Sequence, residues 1–138
     1  MMTVEKENMQ LVSVIIPVYN MELFVAETIE SVLASDYPNF EVVVVDDGSR
    51  DNSLSIVKEF EAKDSRVRVY TQSNSGASAA RNHAIREAHG VYILPVDADN
   101  IIYPDFISAA VSAIEKSSNI KVVVPRIEYF GNKSGEWI

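Results

Sequence analysis

A chain of 138 residues is one domain by length, and 47% hydrophobic against 23% charged residues is the composition of a globular protein with a core of useful size. A net charge of −8 with no local Lys/Arg cluster excludes a nucleic-acid surface, which needs cations to neutralise phosphates. Lack of cysteine removes disulfide frameworks, thiolate zinc sites and cysteine nucleophiles, and fits a cytoplasmic setting. Residues 1–10 carry Glu5, Lys6 and Glu7 without an apolar stretch, and nowhere do about 18 apolar residues run together, so neither a secretion signal nor a membrane span is expected.

Leu11 to Pro17 is a β-branched apolar run stopped by proline, as in a buried strand of a parallel sheet. Met21 to Ala34 sets Phe24, Val25, Thr28, Ile29, Val32 and Leu33 on one helical face, with Asn20 as its expected N-cap. Phe40 to Val45 reads as a second buried strand ending in Asp46-Asp47-Gly48-Ser49. A helix capped by Asp51 or Ser49 follows, with Leu54, Ile56, Val57 and Phe60 inward. Arg66 to Tyr70 alternates charged and apolar residues, which suits a strand near a sheet edge.

Ser73 to Gly76 reads as a loop, and Ala77 to His89 as an alanine-rich helix closed by Gly90. Val91 to Val96 is the next strand. Tyr103-Pro104-Asp105 opens a helix whose inner face is Phe106, Ile107, Ala110, Val111 and Ile114. Ile120 to Val124 is expected to be a fifth strand, and the segment after Pro125 irregular or hairpin-like. Strands alternating with helices specify a three-layer α/β/α sandwich on a mostly parallel sheet.

In such sheets ligands lie beyond the carboxyl ends of the strands, and here those ends carry Pro17-Val18-Tyr19-Asn20, Asp46-Asp47 and Asp97-Ala98-Asp99. If the chain stays extended past Val96, Asp97 and Asp99 converge while Ala98 faces away. Two carboxylates do not saturate a hard divalent ion, and Mg²⁺ is usually held by one or two of them plus substrate phosphates. A diphosphate is the expected partner. No glycine-rich dinucleotide turn or P-loop follows the first strand, which disfavours NAD, FAD and P-loop hydrolysis.

Each acid also has a plain structural role open to it, as a cap of the following turn or helix. One carboxylate of Asp46-Asp47 suffices for a cap, leaving the other free for a ligand hydrogen bond. Ser75-Gly76 offers backbone N–H groups to an anion. Arg81 is either a solvated surface residue or a site cation, and Tyr19 either packs or stacks on a nucleobase. His83 and His89, lacking metal-ligand partners, read as structural or exposed.

As an ordered set these segments resemble the nucleotide-sugar-binding part of the family 2 glycosyltransferases, inverting enzymes of the GT-A fold. The resemblance rests on Val12 to Asn20, Glu27 to Leu33, Val44 to Asp51, Asn74 to Asn82, Asp97 to Asn100, and Pro104-Asp105. It implies a donor site for a nucleoside-diphosphate sugar, commonly a UDP-sugar. Pro17 and Tyr19 would border the base, Asp47 with Asp46 behind it would accept from the base, and Asp97 would lie near the ribose. Asp99 would hold Mg²⁺ or Mn²⁺ against the diphosphate, and Arg81 matches the family's Ala-Arg-Asn motif. The acceptor would be a hydroxyl, such as that of a growing glycan or a lipid-linked sugar, which leaves a place at the inner face of the membrane open.

The family's catalytic base lies downstream of everything matched, and neither Glu128 nor Glu136 sits in a motif like it. The expected organisation is therefore an extension over 1–10, a donor-binding domain over 11–125, and at 126–138 the start of a missing or truncated acceptor-binding half, with the base expected beyond Ile138. Two other readings compete: a nucleotide-sugar-binding module without chemistry, and a phospho-accepting signalling domain. The second would need its acidic pair after the first strand and a lysine after the fifth, where this chain has Pro17 and Pro125.

Overall fold

The computed structural model describes residues 9–129 and 135–137. Residues 1–8, most of the expected extension, lie outside them, as does the side chain of Glu136. In chain order the elements are β1 (Val12–Val18), α1 (Val25–Leu33), β2 (Phe40–Asp46), α2 (Ser53–Lys63), β3 (Val67–Thr71), α3 (Ala77–Glu87), β4 (Tyr92–Pro95), α4 (Phe106–Ile114), β5 (Ile127–Tyr129) and β6 (Gly135–Trp137). β1 to β4 form a parallel sheet in the order β3-β2-β1-β4, while β5 and β6 pair as an antiparallel hairpin.

The apolar runs are explained by burial on both sheet faces. Val12, Val14, Ile16 and Val18 of β1 join Val42 and Val44 of β2 in a core with Val25, Ile29 and Val32 of α1, Val57 of α2, and Ile107 and Val111 of α4. The alternate residues Ile15, Val43 and Val45 face α3, which meets them with Ala80 and Ala84. Alanine has little side chain to stand off the sheet, so the helix backbone approaches closely there. Helices on both faces complete the sandwich.

At the amino ends of the strands a polar clasp replaces apolar packing. Ser13, fully buried, donates its hydroxyl to Glu41 Oε1 at 2.7 Å and accepts the Gly90 N–H at 2.7 Å. The Glu41 carboxylate also accepts from the His89 N–H and from Arg68, at 2.7 and 2.8 Å. Burial pushes the Glu41 carboxyl up, but these donors outweigh it and hold it below the usual carboxylate range.

Several local expectations are corrected. α1 begins at Val25 rather than Met21, and Asn20 is not its cap: it sits in the left-handed region (φ 51°) and accepts the Arg50 N–H through Oδ1. Phe24 consequently lies outside the helical repeat and is exposed. Gly90 does not end α3 in a left-handed turn, since among the described glycines only Gly48 and Gly76 have positive φ. Its lack of a side chain is needed because a Cβ would lie 2.5 Å from Ser13 Oγ.

The expected fifth strand, Ile120 to Val124, is absent. A strand persists where its N–H and C=O groups pair with a neighbour, and this segment belongs to neither sheet. Val122 and Val124 are 75% and 79% exposed, and a cavity of about 490 Å³ lies between the segment, β4 and α4.

Candidate functional site

The carboxyl ends of β1, β2 and β4 come together by register. Val18 lies beside Asp46, Asp46 beside Thr71, and Ile15 beside Pro95. The chain leaves β1 through Tyr19, β2 through Asp47, β3 through Gln72 and β4 through Asp97, all along one edge of the sheet. Strand order reverses at β1, which places the crevice for a ligand between the ends of β1 and β4. Pro17 is half-buried there, and Tyr19, 41% exposed, presents its ring at the rim.

After β4 the backbone departs from the extended path expected for it. Residues 98–99 form a turn, and the Asn100 N–H donates to the Asp97 carbonyl at 3.0 Å. The alternation in exposure survives: Ala98 is buried at 3% while Asp97 and Asp99 face solvent. Thr28 of α1 fixes this turn from beneath, its hydroxyl donating to the Ala98 carbonyl at 2.8 Å. Arg81 on α3 reaches across to Asp97, with Nη2 3.7 Å from Oδ1, so two separately nominated residues are neighbours.

Asp46 and Asp47 divide their work differently from expectation. Both are buried, at 2% exposure. Asp47 Oδ1 accepts from Gln72 Nε2 and the Ser75 N–H, and Oδ2 from the Gly76 N–H and, at 3.4 Å, Asn74 Nδ2. A carboxylate has about four lone-pair sites, so none is left over. The anion met by the Ser75 and Gly76 N–H groups is therefore Asp47 itself. Burial raises the Asp47 carboxyl, but Gln72, Ser75 and Gly76 together hold it below the usual range.

Asp46 Oδ2 accepts the Ser49 N–H at 3.0 Å, while its Oδ1 is buried with no hydrogen-bond partner. The oxygen without a partner thus belongs to the first acid of the pair, not the second. At the Gly48 turn (φ 74°) a Cβ would lie 3.0 Å from Asn74 N. That close approach brings the 46–48 turn against the loop after β3.

A second seam joins the loops after β1 and β2. Ser49 Oγ accepts the Asn20 N–H, Ser53 Oγ the Met21 N–H, and Asp51 Oδ2 the Glu22 N–H. Asp51 also takes the N–H of Ser53, the first residue of α2, at 2.9 Å, from one position before the N-cap Asn52, whose own side chain makes no capping bond. Sequence reasoning missed Gln72, Asn74, Asn20 and Thr28 as organisers of the rim. Only the Asn-rich loop composition hinted at any of them.

Asp97 and Asp99 are solvent-facing, and no group of three or more His, Cys, Asp or Glu side chains that could hold a metal occurs among the described residues. That set does not fit a metal caged by protein alone. It fits one shared with phosphate oxygens and water. Glu128 accepts from the Tyr103 hydroxyl at 2.7 Å, and that hydrogen bond, with the carboxylate's negative charge, raises the tyrosine above its usual value.

A parallel sheet ordered β3-β2-β1-β4 with helices on both faces, and acids gathered at the carboxyl edge, is shared with solved glycosyltransferase structures of the GT-A class. The chain belongs to glycosyl transferase family 2, whose model matches residues 13–138. It is 39% identical over 115 residues to the glycosyltransferase GlyG of Streptococcus pneumoniae serotype 4, covering 82% of this chain and 38% of that protein. Among solved structures it resembles S. aureus TarS 1-349 in complex with UDP-GlcNAc, at 38% identity and a TM-score of 0.71, covering 78% of this chain and 32% of that one. It is also similar to the mannosyltransferase PcManGT from Pyrobaculum calidifontis in complex with GDP-Man and Mn²⁺, at 29% identity and a TM-score of 0.71, covering 77% and 32%. The chain thus spans about a third of the length of each of these three chains. No described helix is long and apolar enough to cross a membrane.

Proposed function

We propose that this chain carries the donor site of a glycosyltransferase that moves a sugar from a nucleoside diphosphate, with UDP the favoured carrier, to an acceptor hydroxyl with inversion. The observation that carries the reading is the common edge. The exposed Tyr19 ring, the buried Asp46-Asp47 pair and the solvent-facing Asp97 and Asp99 leave adjacent strands on one side of the sheet. The TarS and PcManGT structures, solved with UDP-GlcNAc and with GDP-Man and Mn²⁺, support the substrate class.

In this reading Pro17 and Tyr19 border the base, and the Tyr19 ring stacks on it. Asp47, with Asp46 behind it, shapes the base pocket by holding the loop from Gln72 to Gly76 beside it. Asp97 lies by the ribose, where Arg81 keeps it oriented and partly offsets its charge. Asp99 holds Mg²⁺ or Mn²⁺ against the diphosphate. When bound, that cation stabilises the negative charge that grows on the departing phosphate.

The residues of this chain supply the base pocket, the carboxylates at the rim and the turn that Thr28 fastens. Deprotonation of the acceptor hydroxyl needs a general base within hydrogen-bond reach, and we place it in an acceptor-binding part outside the described residues. Calorimetric titration with UDP, GDP and their sugars, with and without Mn²⁺, tests the reading. Metal-dependent binding of at least one nucleotide is expected, and Asp99→Ala should abolish the metal dependence while leaving the fold intact. Equal metal-dependent binding by Asp99→Ala would remove that carboxylate from the site.

A further inference from the structure

The loop from Gln72 to Gly76 is held from outside itself. Gly76 has φ 98°, yet a Cβ placed there would meet nothing within 4 Å, so crowding does not impose this conformation. What holds it is Asp47, through the Ser75 and Gly76 N–H groups at 2.8 and 2.9 Å. Asp47 is in turn met by Gln72 Nε2 at 2.8 Å, and the other end of that amide, Oε1, lies 2.9 Å from His83 Nδ1 on α3. The His83 ring packs on Tyr70, with centroids 5.7 Å apart.

We infer that His83 is a positioning residue for the base pocket: its Nδ1–H orients the Gln72 amide, which orients Asp47, which fixes the loop. An ionised carboxylate only accepts hydrogen bonds. Gln72 must therefore turn its NH₂ to Asp47 and its carbonyl to His83, since the flipped amide would set one acceptor against another at 2.8 Å. The carbonyl needs a donor, so the proton of His83 sits on Nδ1 in the neutral ring, and protonation of Nε2 leaves the contact unchanged. The effect on nucleotide binding rests on the donor-site reading above; the hydrogen-bond chain itself does not.

The test uses the full chain and two variants. Nitrogen-15 NMR of the histidine side chains should show His83 carrying its proton on Nδ1 at pH 8. Replacing His83 by Ala removes the donor, whereas His83→Asn puts an amide N–H close to the place of Nδ1. With one supporting hydrogen bond lost, His83→Ala should speed amide exchange at Ser75 and Gly76 and weaken UDP binding, each by about fivefold to tenfold. His83→Asn should stay within about twofold of the parent in both if the donor alone matters. A proton on Nε2 alone, or unchanged exchange in His83→Ala, overturns the hydrogen-bond chain. Unchanged UDP affinity in His83→Ala despite faster exchange overturns its role in the pocket. Failure of the parent to bind any nucleotide would instead refute the donor-site reading, with tautomer and exchange still deciding the chain of hydrogen bonds.

Discussion

Gly90→Ala gives the sharpest test of how the sheet is closed at its amino end. The new Cβ would lie 2.5 Å from Ser13 Oγ, 2.6 Å from Ser13 N and 2.9 Å from Leu11 O. Two of these neighbours are backbone atoms at the start of β1 and cannot swing aside. Relief requires the entry to β4 to move off β1, which gives up the Gly90 N–H bond to Ser13 Oγ at 2.7 Å and the Val91 N–H bond to Leu11 O at 2.8 Å. Two hydrogen bonds at about 1 kcal/mol each, with overpacking strain of about 1–3 kcal/mol, give a loss of about 3–5 kcal/mol. That is a large share of a typical domain's stability of about 5–15 kcal/mol.

Urea unfolding, with the slope checked for two-state behaviour, measures this loss. Gly90→Asn separates the steric cause from a conformational one. A left-handed helix cap tolerates asparagine, whereas the contact with Ser13 does not, so Gly90→Asn should be at least as damaging as Gly90→Ala. A loss below about 1 kcal/mol for Gly90→Ala, or wild-type stability for Gly90→Asn, would refute the steric reasoning.

Glu41 gives a pH signature. Its folded value is depressed, so its contribution is complete above the unfolded value of about 4.3 and is lost as the pH falls through the folded value. The urea midpoint of Glu41→Gln should accordingly fall less steeply below pH 5 than that of the wild type, Asp47, Asp51 and Asp64 still supplying an acid limb; parallel limbs would exclude the Glu41 clasp as a contributor. Thr28→Val keeps the shape of the side chain but leaves the buried Ala98 carbonyl unpaired. It should cost about 1–3 kcal/mol in thermal or urea unfolding and speed exchange at the Asn100 amide, and an unaffected protein would show that the acid turn stands without α1.

What was legible in the sequence follows from how local the cause is. The two central strands, β1 and β2, showed because burial on both faces demands unbroken apolar runs, as in Val42 to Val45. The edge position of β3 showed in its charged and apolar alternation, since Arg68 reaches out to Glu41 while Val67 packs inward. Asp97 and Arg81 were each visible as candidates, but their pairing depends on where α3 crosses the sheet, which no local pattern encodes.

The misses share that nature. Gly90 looked like a helix cap because its role is set by Ser13, far away in sequence and adjacent in space. Asp47 looked free because its partners arrive from the loop after β3. Ile120 to Val124 has the composition of a strand, but strand formation needs a partner edge, and the segment has none in the described structure.

The donor site is tested most directly by location. Wild-type protein labelled with nitrogen-15 is titrated with UDP and then with a trace of Mn²⁺, whose unpaired electrons broaden nearby amide signals. The expected result is UDP-induced shifts at Tyr19 and from Gln72 to Gly76, with broadening centred on Asp97 to Asn100 only when UDP is present. Broadening centred on the cavity beside β4 and α4, or a metal effect indifferent to UDP, would contradict a nucleotide and its cation meeting at this edge of the sheet.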